Sequence, residues 1–299
     1  MIKIKLRRIK QSPFFDHYFG WITSSSCDSA SRWIAVAPKS PSTTFTDQQF
    51  RILLNLRLHL EQPDLNSGQK CNCKIPRKNT SPMVDQQCLH CITACAKNGF
   101  GIKTHNAINL ELSALCNATG LKTKIEPHGC FNSIESLSRY TDKEMNTRPD
   151  VLIFKAFNGR SNVIVDTSIT TPIPIKDGAT MSRDDSIAPE KALHALDRKK
   201  IDKYFQIAKD NGLEFITFLF ETTGRMYNKS ITFLHSILSR FSSAYKDGFF
   251  LKKYWLDRIS CIFQRHVANA IDERLKYLNG IQFTDIHYEN RNDFINGLA

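Results

Sequence analysis

The sequence predicts an α/β fold in which a small mixed sheet is flanked by helices. Two short apolar runs joined by a turn signal, followed by an amphipathic helix and a third apolar run, indicate the sheet and its packing layer. A cysteine-rich segment precedes this core, and apolar residues at helical spacing follow it. With 41% hydrophobic residues among 299, the chain has enough apolar material for a buried core.

Changes in composition divide the chain into four expected segments. The first is basic and irregular and ends in a helix, the second is rich in cysteine, the third holds the strands, and the fourth is helical. The boundaries are 1–65 for the basic tail and linker helix, 66–105 for the cysteine-rich segment, 106–225 for the core and 226–299 for the C-terminal helices.

The charge of the chain predicts a polyanionic partner. Lys and Arg total 41 against 29 Asp and Glu, which gives a formal net charge of +12. Residues 1–10 and 66–130 each carry a net excess of five basic side chains, so most of the charge lies in two stretches. The chain has no run of about 18 apolar residues, and residues 1–10 lack the apolar region of a secretory signal. We therefore expect an intracellular protein without a membrane segment.

The first predicted helix leads directly into the cysteine-rich segment. Thr46 and Gln49 form a capping-box pattern, and apolar residues recur at helical spacing over 46–61 before Pro63. Residues 63–104 then hold Pro, Gly, Asn, Lys and Cys with little periodicity, and they have too little apolar material to fold alone. Because a bound metal would supply the missing folding free energy, we predict a structural zinc knuckle here.

The knuckle offers more soft ligands than the four that tetrahedral zinc needs. The competing interpretation, buried thiols without a metal, is disfavoured because this Lys-rich stretch gives thiols nothing apolar in which to be buried. The simplest ligand set is Cys71, Cys73, His90 and Cys95, and the alternates are Cys88, Cys91 and His105.

The core elements follow from local signals. Asn158-Gly159 is a hairpin turn signal between two apolar runs. Pro189 and Gly212 bracket the longest helical pattern of the core. The expected elements are, in order, a helix over 106–118, strands over 151–154 and 163–169, a helix over 189–211, a strand over 215–220 and two helices over 229–278 broken near Asp247-Gly248.

Two aspartates are placed to meet at one end of the expected hairpin. Asp150 lies eight residues before Asn158 and Asp166 seven after Gly159, so the two come level on paired strands. Two converging carboxylates bind a hard cation such as Mg²⁺, which activates water and stabilises charge on a phosphoryl group. The alternative is two unconnected acids at strand ends. We favour the metal site because Asp166 lies between strongly apolar neighbours, where a charge needs a specific partner.

Three more side chains could complete the site. Lys200 and Lys203 share one helix face, and a lysine beside a scissile phosphate neutralises developing charge. Glu221 ends the apolar strand, where a third acid could enter. The alternatives are solvated helical lysines and a glutamate in a turn.

Several enzyme motifs are missing, whereas seven others occur in a definite order. The chain has no GxxxxGK[ST], GxGxxG, GxSxG or HExxH sequence. The motifs present are Cys71-Asn-Cys73, Asp85 to His90 with Cys95, His105-Asn106, Arg148-Pro-Asp150, Val163 to Ile169 around Asp166, Lys200-Ile-Asp-Lys203-Tyr204 and Glu221-Thr-Thr-Gly224. In this order they resemble the restriction-endonuclease-like region at the C-terminal end of non-LTR retrotransposon reverse-transcriptase polyproteins. The similarity covers about residues 24–270.

This resemblance implies a PD-(D/E)XK nuclease-like core and a function. The family's endonuclease nicks target DNA, and the freed 3′ hydroxyl primes reverse transcription. By position, Asp150 and Asp166 would hold Mg²⁺, and Lys200 or Lys203 would be the migrated lysine. The sequence departs from the superfamily at Ser168, where lysine is standard. The resemblance also implies a nuclear protein with DNA, and possibly element RNA, as partners.

The chain contains no reverse-transcriptase module, so we expect either a fragment or the surviving tail of a decayed element. Two other functions compete with the nuclease. A catalytically degenerate remnant would bind nucleic acid through the basic tail and the knuckle without cleaving it. An RNA-directed protein would prefer structured RNA to duplex DNA. Both aspartates are intact, so a hydrolase that cleaves DNA ranks first.

Overall fold

The fold is described from a computed structural model that covers most of the chain between residues 21 and 280. The basic tail at residues 1–10 and the turn at Asn158-Gly159 lie outside the described residues. The described ranges are 21–58, 60–62, 65, 69–71, 73, 84–93, 95, 99–131, 139–141, 148–157, 161–172, 190–244 and 248–280.

Within these ranges the structure contains the helices and strands that the core needs. Two short 3₁₀ turns, Arg32–Ala35 and Pro41–Thr43, join the first helices. The helices are α1 (Asp28–Ser31), α2 (Asp47–Leu58), α3 (Leu89–Thr93), α4 (Phe100–Ala118), α5 (Lys191–Asp210), α6 (Asn228–Ala244) and α7 (Gly248–Leu278). The strands are β1 (Thr123–Ile125), β2 (Val151–Phe157), β3 (Ser161–Thr170) and β4 (Leu213–Glu221).

The four strands form one mixed sheet in the order β1-β2-β3-β4. β1 pairs antiparallel with β2, and β2 pairs antiparallel with β3. β3 and β4 are parallel, which requires a crossover connection, and α5 supplies its helix. The prediction of a small mixed sheet flanked by helices is confirmed, although β1 was not predicted.

Helices cover both faces of this sheet. Ile164 and Leu152 pack against Ile207 of α5 on one face. Val163 and Val165 belong to the larger core on the other face, which α4, α6 and α7 complete. Because both faces are buried, the middle of β3 is a continuous apolar run rather than an alternating one. Asp166 therefore lies in an interior layer, on the face that α5 covers.

Ion pairs fix α4 against α7. Arg258 of α7 binds Glu111 of α4 through both carboxylate oxygens, at 2.5 and 3.0 Å. Lys103 lies 2.9 Å from Glu273 at the other end of the contact. These contacts set the position of α4, which carries His105. Of the helices in the described ranges, none has the length and apolar character of a membrane span.

Candidate catalytic site and metal centre

Asp150 and Asp166 come level on the paired strands β2 and β3. Val151 pairs with Val165, and the Asp150 amide donates to the Val165 carbonyl at 3.0 Å. The Thr167 amide donates to Asp150 Oδ2 at 2.6 Å. The two aspartates are therefore level, although the β2–β3 register shifts between Ile153 and Phe157, and the Asp150 carboxylate is held against the backbone that follows Asp166.

Lys200 of α5 binds the second acid. Its Nζ lies 2.8 Å from Asp166 Oδ2 and 3.1 Å from Oδ1. The Ser168 hydroxyl also donates to Asp166 Oδ2, at 3.2 Å. Burial raises the pKa of Asp166, and the ammonium of Lys200 opposes that rise. The lysine thus stabilises a charge that the apolar surroundings of β3 would otherwise disfavour.

His105 of α4 reaches the same place from the opposite side of the sheet. Its Nε2 lies 2.9 Å from Asp150 Oδ2. The hydrogen bond to Asp150 raises the pKa of His105 and outweighs the opposing effect of burial. His105 was predicted as an alternate zinc ligand, and the structure places it at Asp150, outside the group of four potential metal ligands. The His105-Asn106 motif was the sequence signal that could have indicated this role.

Lys203 is one contact further from the acids. Its Nζ donates to the Tyr204 hydroxyl at 2.8 Å and lies 4.5 Å from the centre of that ring. Burial raises the pKa of Tyr204, and the negative charge of Asp166 adds to the rise. Of the two predicted lysines, the structure therefore brings Lys200 to a carboxylate and Lys203 to the neighbouring tyrosine.

Glu221 lies at the far end of β4 from the acid pair. Asp166 pairs with Thr217, and Glu221 follows four residues later, about 13 Å along the strand. Its carboxylate accepts a hydrogen bond from Ser24, and burial raises its pKa. The expectation of a third acid at this site is corrected, because the strand register carries Glu221 away from it.

Asp197 is a buried acid near the site that the sequence did not single out. It lies one helical turn before Lys200 on α5 and is 3% exposed. Thr217 donates to Asp197 at 2.6 Å, and the Lys229 ammonium lies 2.7 Å from it. Since Thr217 is the strand partner of Asp166, this network ties α5 to β4 beside the acid pair.

The knuckle brings together four potential metal ligands from a short stretch of chain. The ligand atoms of all four lie within 4.8 Å of one another. The sulfurs of Cys71 and Cys95 are 3.6 Å apart, and the sulfur of Cys73 lies 3.1 Å from His90 Nε2. Zinc–sulfur bonds of 2.3 Å at a tetrahedral angle separate two sulfurs by about 3.8 Å. The four residues are Cys71, Cys73, His90 and Cys95, with Cys71–Cys95 and Cys73–His90 as the two close pairs.

This ligand set could hold a metal ion and has the chemistry that zinc prefers. Burial and the neighbouring Cys71 raise the pKa of the Cys73 thiol to about 12, so a bound metal would have to displace a proton there. The alternates Cys88 and Cys91 lie outside the set and hydrogen bond to each other, which raises the pKa of Cys91. The set that the sequence ranked first is therefore the one that the fold assembles.

Two side chains outside the ligand set support it. The Asp85 carboxylate accepts hydrogen bonds from the Leu89 and His90 amides, at 2.7 and 2.8 Å, and so fixes the start of α3. Arg274 of α7 donates to Cys95 Sγ at 3.1 Å. Three thiolates and one imidazole around Zn²⁺ carry a net charge of −1, which the guanidinium of Arg274 would offset.

No protein-family model matches this chain, and no curated protein matches it significantly. Function must therefore be inferred from the two clusters themselves. The knuckle offers soft sulfur and imidazole donors in a closed arrangement, as in structural metal sites. The acid pair offers hard oxygen donors beside a lysine, the combination needed where negative charge develops on a phosphoryl group.

Proposed function

We propose that this protein is a Mg²⁺-dependent DNA endonuclease with a PD-(D/E)XK-type core, derived from a retrotransposon and nicking target DNA to prime reverse transcription. The observation that carries the proposal is that two aspartates lie level on adjacent strands and that a lysine binds the second of them. Asp150 and Asp166 are level on adjacent strands, and the Lys200 amine lies 2.8 Å from Asp166. DNA is the proposed partner, element RNA a second one, and the nucleus the proposed location.

The donor set fits a hard divalent cation. Carboxylate oxygens are the ligands that Mg²⁺ uses beside substrate phosphates, and Asp150 and Asp166 provide them from two rigid strands. When bound, Mg²⁺ would activate a water molecule and stabilise charge on the phosphoryl oxygens. Asp150 is oriented for this role by the Thr167 amide, and Asp166 by Lys200 and Ser168.

Lys200 takes the place of the lysine that is missing from β3. Ser168 stands where the superfamily has lysine, and its hydroxyl donates to Asp166. Lys200 reaches the same carboxylate from α5, so an amine is present although its position in the sequence has changed. We assign to it the neutralisation of charge on the phosphoryl group. His105 is a positioning residue that holds Asp150 through a 2.9 Å contact.

A plasmid-nicking assay tests the proposal. Purified protein with zinc in the knuckle and added Mg²⁺ should convert supercoiled plasmid to open circles, as measured on agarose gels. Asp150→Asn and Asp166→Asn should each slow nicking by at least about 100-fold, because each removes a metal ligand. Asp202→Asn is the matched control, since Asp202 is exposed on α5. Equal nicking by the wild type and by Asp166→Asn would overturn the catalytic assignment.

A second candidate is a nucleic-acid-binding remnant with a degenerate site. The observation that favours it is that cationic side chains already engage both carboxylates: His105 on Asp150 and Lys200 on Asp166. This function predicts affinity for DNA or RNA that falls steeply with salt, is unchanged by Asp150→Asn, and is accompanied by no cleavage. A preference for structured RNA over duplex DNA in the same binding assay would instead indicate the RNA-directed role.

A further inference from the structure

A small cleft lies between the knuckle and the far end of β3. Its volume is about 110 Å³, and it is partly open to solvent. We call it the threonine cleft, after the residue type that dominates its polar lining. The lining residues that matter here are Thr93, Cys95, Phe100, Gly101, Thr170 and Thr222.

The first turn of α4 forms one wall of the threonine cleft. α4 is 19 residues long, no side chain caps its N-terminus, and its first turn carries no acidic residue. The first amides of a helix have no carbonyl partner within it, and the helix dipole places positive potential there. Such a helix end attracts an anion, although this feature alone would not identify a site.

Thr222 provides an independent indication of a ligand. The residue is 3% exposed, and its Oγ1 has no hydrogen-bond partner among the residues that the structure describes. Its backbone is fixed, because the Thr222 amide donates to the Thr170 carbonyl at 2.8 Å. Buried hydroxyls in native proteins are nearly always hydrogen bonded, so a donor left over beside a helix N-terminus suits an oxyanion.

The electrostatic surroundings also suit an anion. No Asp or Glu occurs among the described residues that line the cleft. Cys95 lines it from the knuckle side, where the guanidinium of Arg274 donates to the Cys95 sulfur at 3.1 Å and offsets the negative charge of the ligand set. The space beside the Gly101 backbone is open, because a Cβ added to Gly101 would meet no atom within 4 Å. Among the residues that the structure describes, neither a carboxylate in the lining nor an atom beside Gly101 blocks the approach of an anion to the α4 amides.

We propose that the threonine cleft binds one phosphate group of the DNA backbone. This inference rests on the proposed function and adds a second contact to the strand that crosses the acid pair. Thr170 lies four residues beyond Asp166 on β3, about 13 Å away. Successive phosphates follow one another along the strand, so the bound phosphate would lie a few nucleotides from the scissile one. The contact would fix the register of the strand without reading its sequence.

Substitutions at Gly101 and Thr222 separate charge, size and hydroxyl effects. Gly101→Asp places a carboxylate at the helix N-terminus, where it favours the helix but excludes an anion. Gly101→Asn has nearly the same size without the charge, and Ser239→Asp adds the same charge at an exposed position on α6. Thr222→Val removes the hydroxyl and keeps the shape. Because Oγ1 has no described partner, we expect this variant to fold normally.

The first measurement uses inorganic phosphate and the zinc-loaded full chain labelled with ¹⁵N. Phosphate at constant ionic strength should shift the Gly101 and Ile102 amide signals saturably, whereas chloride should not. The shifts should disappear in Gly101→Asp and weaken in Thr222→Val. If phosphate leaves these amide signals unchanged in the wild type, the cleft is not an anion site.

The second measurement is the affinity for duplex DNA as a function of salt, from fluorescence anisotropy. Gly101→Asp should bind about 3- to 10-fold more weakly, with a salt slope reduced by about one, whereas Gly101→Asn and Ser239→Asp should bind like the wild type. Phosphate binding without this change in DNA affinity would overturn the assignment to the DNA backbone. If the wild type nicks DNA and Gly101→Asp changes neither its nicking nor its DNA affinity, only the assignment of the cleft is rejected. A phosphate response in a protein that neither binds nor nicks DNA would reject the proposed function.

Discussion

The four ligands of the knuckle lie close together in the sequence, whereas the residues of the acid pair and their partners lie far apart in it. The four knuckle ligands lie between positions 71 and 95, and one of them, His90, is carried by the short helix α3. The acid pair combines two strands with Lys200 of α5 and His105 of α4, which lie 34 residues from Asp166 and 45 from Asp150. Local clusters can be stabilised by an ion, whereas dispersed clusters depend on the fold around them. Loss of the ion should therefore affect stability most, and changes at the acid pair should affect chemistry most.

Loss of a knuckle ligand should have the largest effect on stability. Cys95→Ser should reduce bound zinc from one per chain to less than about 0.1, because one of four ligands is lost. The free energy of unfolding should fall by more than about 3 kcal/mol, since zinc binding contributes directly to folding. Zinc content and urea unfolding measure the two effects.

Cys88→Ser is the matched control for the knuckle. Cys88 is a buried cysteine of the same segment that lies outside the ligand set. This variant should keep its zinc. Retention of zinc by Cys95→Ser together with loss from Cys88→Ser would mean that the alternates bind the metal, and the assigned set would be wrong.

Lys200 should dominate the chemistry at the acid pair. Lys200→Met removes the ammonium 2.8 Å from Asp166, and we expect nicking to slow by about 100- to 1000-fold, as when one charge-stabilising group is lost. Lys203→Met is the matched control on the same helix, and its effect should be less than about 10-fold, because Lys203 binds Tyr204 instead. The ratio of initial nicking rates measures this difference. A larger loss of nicking rate in Lys203→Met than in Lys200→Met would assign the charge-stabilising role to Lys203 instead.

A substitution of Arg274 tests whether α7, which supplies none of the four ligands, supports the knuckle. Arg274→Met removes the donor to Cys95 Sγ, and the zinc affinity should fall by about 10-fold, as is usual for partners of metal ligands. Competition with a chromophoric chelator measures that affinity. Lys276→Met, at a partly exposed ion pair on the same helix, should leave that affinity unchanged. Equal affinity in both variants would show that the knuckle closes without α7.

The sequence predicted those parts of the fold whose signals are local. The hairpin, α5 and β4 follow from turn residues, caps and apolar runs, whereas the register shift between Ile153 and Phe157 had no signal in the sequence. β1 was missed because three residues at a sheet edge give no periodicity. α4 begins at Phe100, six residues before the predicted start, after Gly99 in the left-handed conformation.

The site residues divide in the same way. The knuckle ligands were predictable because spacing along the chain limits which donors can meet. His105 was predicted only as an alternate knuckle ligand because it is near Cys95 in the sequence, and the direction of α4 brings it to Asp150. Glu221 ends an apolar strand, but only the β3–β4 register shows that it lies beyond the site. Helix direction and strand register are tertiary properties that local patterns do not encode.

The contact between His105 and Asp150 should make the stability of the acid pair depend on pH. The bond to Asp150 raises the pKa of His105 in the folded chain above its ordinary 6.5. The stabilisation is then fully present below pH 6.5 and is lost as the pH rises through the folded pKa. His105→Gln should therefore cost about 1 kcal/mol more at pH 6 than at pH 9, as expected for a partly buried pair. Urea unfolding at the two pH values measures this cost. No Mg²⁺ is added, and no chelator is added either, so that the knuckle keeps its metal. His235→Gln, at an exposed site on α6, should show no such dependence. An equal cost at both pH values would mean that His105 binds Asp150 as a neutral imidazole, and the acid pair would then hold only one cation, Lys200.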